Sequence, residues 1–120
     1  MTWTIRLPYS TPPISLNSRM HWATANRIKS EVAYHVTIGV RRARIPACGA
    51  IHVQLGYVPR DKRTRDPDNL MLLHKICVDA IRRAGVVLDD SPEYVTWSPP
   101  RIDPPDRNDP HLYVTIERKT

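Results

Sequence analysis

Two pairs of aspartates frame the middle of the chain. Asp66 and Asp68 flank Pro67, and Asp89 and Asp90 follow one helix-length later. Proline disfavours the helical region for the residue before it, so Asp66 is expected in extended geometry. Side chains at i and i+2 of an extended segment point the same way, so Asp66 and Asp68 are expected to project together. Carboxylates held side by side repel, and a divalent cation removes that cost. Oxygen-only donors of this kind suit Mg²⁺, with Mn²⁺ as a substitute. A metal held there polarises a phosphate and lowers the pKa of a bound water, which is the chemistry of phosphodiester hydrolysis. An isolated Asp-x-Asp says little, and Asp-Asp before Ser91-Pro92 is by itself an ordinary turn. The two pairs with a helix between them are a more specific signal.

That helix is legible in the apolar rhythm. Asp68 is expected as its N-cap. Leu70, Leu73, Ile76, Cys77, Ala80, Ile81 and Ala84 recur at the spacing of one buried face. Gly85 supplies a C-terminal stop, and Arg82 and Arg83 fall in the last turn, where the dipole favours cations. Lys75 is nearly eclipsed with Asp68 at about 100° per residue, so it shares the face of the acids. An ammonium there neutralises charge that builds on a phosphate under attack. His74 is turned about 100° away and is the weaker candidate. Val86-Val87-Leu88 is expected to return the chain toward the start of the helix and bring Asp89 or Asp90 to the same place. Neighbours in an extended segment face opposite ways, so one of the pair is the direct ligand and the other orients it or bonds backbone.

In order and spacing, Arg65-Asp66-Pro67-Asp68-Asn69-Leu70, Lys75, Asp79-Ala80-Ile81 and Ala84-Gly85-Val86-Val87-Leu88-Asp89-Asp90 resemble the RusA family of Holliday junction resolvases. Leu16-Asn17-Ser18-Arg19-Met20-His21-Trp22 is similar to that family's N-terminal segment, and the likeness covers most of the chain. The resemblance implies a small α/β homodimer, Mg²⁺-dependent, that places two symmetric nicks in a four-way DNA junction. Carried over by position, Asp66, Asp68 and Asp90 match the essential acids and Lys75 the essential lysine. Asp89 and Asn69 match positions that accompany the site. In the best-known members the lysine follows the second acid by about four residues, against seven here. Both offsets keep one helix face, and the extra residues move the lysine about 4.5 Å along the axis. Arg63-Thr64-Arg65 also offers no aromatic just before the first acid, where relatives place a base-wedging function.

The whole chain sets the frame for this site. Its 120 residues suit one domain, spanning 1–120, with a single modest core. A net charge of +6 and a pI near 9.7 point to a polyanionic partner, which the resemblance implies is branched DNA. Cys48 and Cys77 are expected as reduced thiols of a cytoplasmic protein, the host cytoplasm if the source is a phage. No Cys-x-x-Cys occurs, which argues against zinc. No apolar run reaches the roughly 18 residues of a membrane span.

Residues 2–8 alternate and read as a strand. Asn17 and Ser18 are expected to introduce a helix over residues 20–44, with Trp22, Ile28, Val32, Val36 and Val40 on its core face. Arg19 and His21 are candidates for phosphate contacts. Arg41, Arg42 and Arg44 are either a solvated face or further positive surface. Residues 50–58 alternate as a second strand, with His52 on its outer face. Arg60, Lys62, Arg63 and Arg65 then form a basic loop ahead of the acids, expected to be mobile and to capture phosphate. Residues 94–97 read as a short strand, residues 99–110 as an irregular Pro- and Asp-rich loop with solvated turn aspartates at 103, 106 and 109, and residues 111–117 as a last strand. The expected fold is α/β of the α+β type: two layers, a mixed sheet of about four strands, two helices.

The function expected is Mg²⁺-dependent resolution of four-way junctions in recombination and repair. The alternatives are a less selective branched-DNA nuclease, or a structure-specific DNA-binding protein without catalysis. A phosphatase or sugar-transferase Asp-x-Asp would follow an apolar strand, whereas Lys62-Arg63-Thr64-Arg65 precedes this one. Dimerisation follows from the resemblance and from the two-fold symmetry of the substrate.

Overall fold

Alternating side chains set the sheet. Strand β2 (Ile51–Val58) buries Ile51, Val53, Leu55 and Tyr57 on one face. On the other face His52 bonds Thr96 (2.7 Å) and Ser98 (2.8 Å). The last strand, β5 (His111–Arg118), pairs antiparallel with β2 and buries Leu112, Val114 and Ile116. Strand β1 (Thr2–Leu7) pairs antiparallel with the other side of β5, with Ile5 opposite Val114. Short β3 (Val95–Trp97) and β4 (Arg101–Ile102) lie parallel to β2 along its free edge. The order is β1-β5-β2-β3, with β4 continuing the edge beyond β3. The structure, a computed structural model, describes residues 1–16 and 19–120. Asn17 and Ser18, expected to introduce the first helix, lie outside the described residues.

Two helices make the second layer. Helix α1 (Trp22–Arg42) packs on β1 and buries Val32, Val36 and Val40, and α2 (Met71–Arg83) touches β2 and buries Leu73, Cys77, Ala80 and Ile81. The helices also touch each other. The protein is therefore a two-layer α+β domain with a mixed five-stranded sheet and two helices, the core lying between the layers. Gly39 lets α1 approach the sheet: a Cβ there would lie 2.3 Å from Ile5 Cγ2. Gly85 ends α2 at φ +89°, the left-handed conformation that glycine adopts without a steric cost. Among the described residues no helix is long and apolar enough to cross a membrane.

Three expectations are corrected. Residues 99–110 are not wholly irregular, because Arg101 and Ile102 pair with Gly56 and Tyr57. Pro99 and Pro100 break this edge from β3, since proline has no N–H for a ladder. Trp22 is not core: it opens α1, ahead of the turns that meet the sheet, and is 71 % exposed. Two of the loop aspartates are engaged by protein partners. Asp109 pairs with Arg6, and Asp103 accepts a hydrogen bond from the Tyr113 hydroxyl.

Candidate active site

Asp66 adopts φ −91° and ψ 117°, the extended geometry that Pro67 demands. It is Asp66, not Asp68, that caps. Its Oδ1 accepts from the Asp68 N–H at 3.0 Å and opens a 3₁₀ turn, Pro67–Leu70, that leads into α2. Proline sits at the first position of that turn, where its missing N–H costs nothing. Asp68 thus lies within the turn, and the alternation of an extended segment does not govern its direction. Its exposed carboxylate stands in the first turn, where the dipole favours negative charge.

The 3₁₀ turn also changes the count to Lys75. Three steps of about 120° and four of about 100° leave the lysine about 40° from Asp68 and about 12 Å along the axis. The two still share a face. Asn69 supports the turn through its backbone: its N–H donates to the Asp66 carbonyl at 3.1 Å, and its carbonyl accepts from Leu16 N–H at 3.3 Å. The N-terminal segment is thereby tied to the acidic turn.

Two cavities flank the junction of this turn with α2. The larger, about 520 Å³, is lined by Asp66 with Arg65, Asn69, Leu70 and Tyr57. The smaller, about 320 Å³, is lined by Lys75 and Asp90 with Met71, His74 and Trp97. The turn after α2 thus places Asp90 with Lys75, whereas Asp66 lines the other cavity and Asp68 lines neither, so the two acidic pairs expected in one place are not gathered there. Val86 and Val87 are buried beneath that turn, while Leu88, Asp89 and Asp90 are exposed. Asp89 and Asp90 act together on Arg82, whose guanidinium donates to Asp79 at 2.8 Å. Among the described residues no three Asp, Glu, His or Cys side chains are grouped closely enough to hold a metal ion together.

The basic loop has a framework that its composition hides. Asp61 accepts from Arg63 Nε at 3.1 Å and from Arg65 Nη2 at 2.8 Å. Arg65 Nη1 donates to the carbonyls of Asp61 and Arg63, both at 2.8 Å, and its guanidinium lies 5.7 Å from the centre of the Tyr57 ring. The hydrogen bonds from Arg63, then those from Arg65, hold the Asp61 carboxyl well below the usual range. Arg65 is thus a pin that braces the loop against β2. Arg60 and Lys62 are exposed to an incoming phosphate, and Arg63 is exposed but paired with Asp61. At the other candidate patch, His21 caps α1 by accepting from Ala23 N–H at 3.2 Å, beside exposed Arg19 and with its ring 5.6 Å from that of Trp22.

Trp97 lines the cavity without having been singled out for the site in sequence, and His74, there only the weaker candidate beside Lys75, lines it too. His74 is 3 % exposed, and its ring centre is 4.9 Å from that of Trp97. Burial, then the charge of Lys75, pushes its pKa below the ordinary histidine value. A histidine on an apolar helix stripe was the available signal for the first. Nothing local marks Trp97, because its place depends on β3 pairing with β2.

No family model matches the chain, and no curated protein matches it.

Proposed function

We propose that the protein is a Mg²⁺-dependent endodeoxyribonuclease of the RusA type that resolves four-way DNA junctions by paired nicks. The observation that carries this reading is the meeting of Lys75 and Asp90 in one cavity, at the helix whose leading turn presents Asp66 and Asp68. A lysine sharing a cavity with one acid, on the helix that follows a basic loop and two further acids, supports holding and attacking a phosphodiester.

The donor chemistry fits the metal. Asp68 and Asp90 are exposed carboxylates, and Asp66 uses Oδ1 in its cap, leaving Oδ2 outside that bond. Asp66, Asp68 and Asp90 are the donors that would hold Mg²⁺ or Mn²⁺, although as they stand in this structure they are not grouped closely enough to share one ion; when bound, the metal would supply charge neutralisation and a more acidic water. Lys75 places its ammonium over the phosphate and stabilises the charge of the transition state. Asp89 stands exposed beside Asp90 in the same turn and adds to its negative charge. Arg60, Lys62 and Arg63 capture the neighbouring backbone, with Arg19 and His21 as a second phosphate patch. Arg65 serves by bracing the loop. A homodimer would set two such sites on the two-fold junction.

Replacing either Asp90 or Lys75 tests the reading by separating nicking from junction binding. A structure-specific DNA-binding protein without catalysis is the second reading. It is favoured by the exposed cationic and aromatic patch of Arg19, His21 and Trp22, which stands apart from the acids in the chain.

A further inference from the structure

The cavity of Lys75 and Asp90 has an aromatic wall that phosphate chemistry leaves unused. Trp97 closes β3 and is 49 % exposed. His74 packs against its indole at an interplanar angle of 53° and is itself buried, its Nδ1 without a hydrogen-bond partner among the described residues. Met71 adds apolar surface, while Lys75 and Asp90 provide the charged part of the lining. The volume, about 320 Å³, is at the lower end of the roughly 300–1,000 Å³ of small-ligand sites.

Trp97 and Lys75 point to the same occupant, while Asp90 is the acid assigned to the metal. An indole left half open beside a cavity is a π-surface, and its best complement is another flat ring. A cation next to it selects a ring carried on an anion. We propose that this cavity takes one unstacked nucleobase of the bound strand, stacked on the exposed part of Trp97, whose ring His74 props from beneath, with Lys75 at the adjoining phosphate. Bases in a continuous duplex keep their faces covered, so the pocket selects DNA whose bases are already loosened, as at a branch point. The inference rests on the nuclease reading for the identity of its ligand, and adds to it a residue that positions the strand.

The test uses a four-way junction with 2-aminopurine placed in turn at each crossover position, bound in Ca²⁺ by wild type, Trp97→Phe and Trp97→Ala. One position should change its emission with wild type and Trp97→Phe but not with Trp97→Ala. An abasic site at that position should weaken binding by about tenfold for wild type and leave Trp97→Ala unchanged. Equal emission changes for wild type and Trp97→Ala would overturn the proposal. So would an absence of any abasic penalty in wild type, which needs no variant to fold. Nicks in Mg²⁺ without a Trp97-dependent signal sink this inference alone. A Trp97-dependent signal without nicks in Mg²⁺ or Mn²⁺ supports it and sinks the nuclease reading. Absence of junction binding removes both.

Discussion

Lys75, on α2, and Asp90, in the turn that follows that helix, line one cavity. Helix α2 is anchored by buried Leu73, Cys77, Ala80 and Ile81, and the returning turn by buried Val86 and Val87. The relation between the lysine and the acid is therefore fixed by core packing, and charged substitutions in the cavity should leave the fold intact.

The metal assignment has a readout apart from activity. Mg²⁺ at about ten times its dissociation constant should raise the melting temperature of wild type by about 5 °C. Asp68→Asn, which removes one anionic donor, should lose most of that shift. Equal shifts in the two proteins would remove Asp68 from the metal site.

The basic loop should owe its order to one carboxylate. Asp61→Asn removes the charge that holds Arg63 and Arg65. Trypsin should then cut within residues 60–65 several-fold faster than in wild type. Because the folded protein holds Asp61 below its ordinary pKa, its contribution is present above about pH 4 and is lost as the pH falls through the lowered value. Unchanged cleavage in Asp61→Asn would mean that Arg65 is held by Tyr57 and the backbone alone.

His74 should make stability depend on pH in a defined direction. Its folded pKa is lowered by burial, so around pH 6 the unfolded chain binds more protons than the folded one. The contribution is fully present above about pH 6.5 and is lost as the pH falls through the lowered folded value. Thermal melts at pH 7.5 and pH 5.5 should differ more for wild type than for His74→Phe. The same difference in both proteins would mean that His74 is not the group responsible.

Gly39 tests the contact of α1 with the sheet. In a helix interior Gly→Ala ordinarily gains about 1 kcal/mol. Here the added methyl would meet Ile5 Cγ2 at 2.3 Å, and Ile5 is itself buried between the layers. Gly39→Ala should therefore destabilise, by about 1–3 kcal/mol, in urea denaturation. A gain would show that β1 yields at little cost.

How much was legible followed the range of the forces. The strands at 2–7, 51–58 and 111–118 and the buried stripe of α2 are local periodicities, and composition displays them directly. The stop at Gly85 is a single-residue property and was equally plain. Strand β4 was not, because two residues after a proline pair become a strand only when Gly56 and Tyr57 lie alongside. The exchange of capping roles between Asp66 and Asp68 turns on one hydrogen bond, which a capping preference alone cannot assign. Trp97 reads as a strand residue in sequence. Its role as a cavity wall arises from packing against His74 on another element.

The most direct measurement is cleavage of a labelled four-way junction and a linear duplex of the same sequence, in Mg²⁺ and in chelator. Wild type, Asp90→Asn and Lys75→Ala would be compared, with junction binding followed in parallel. The expected result is paired symmetric nicks in the junction alone, abolished by chelator. Each substitution should reduce them by about 10²-fold or more while junction binding persists. Tight junction binding by wild type without nicks in either Mg²⁺ or Mn²⁺ would contradict the nuclease and leave the DNA-binding reading in its place.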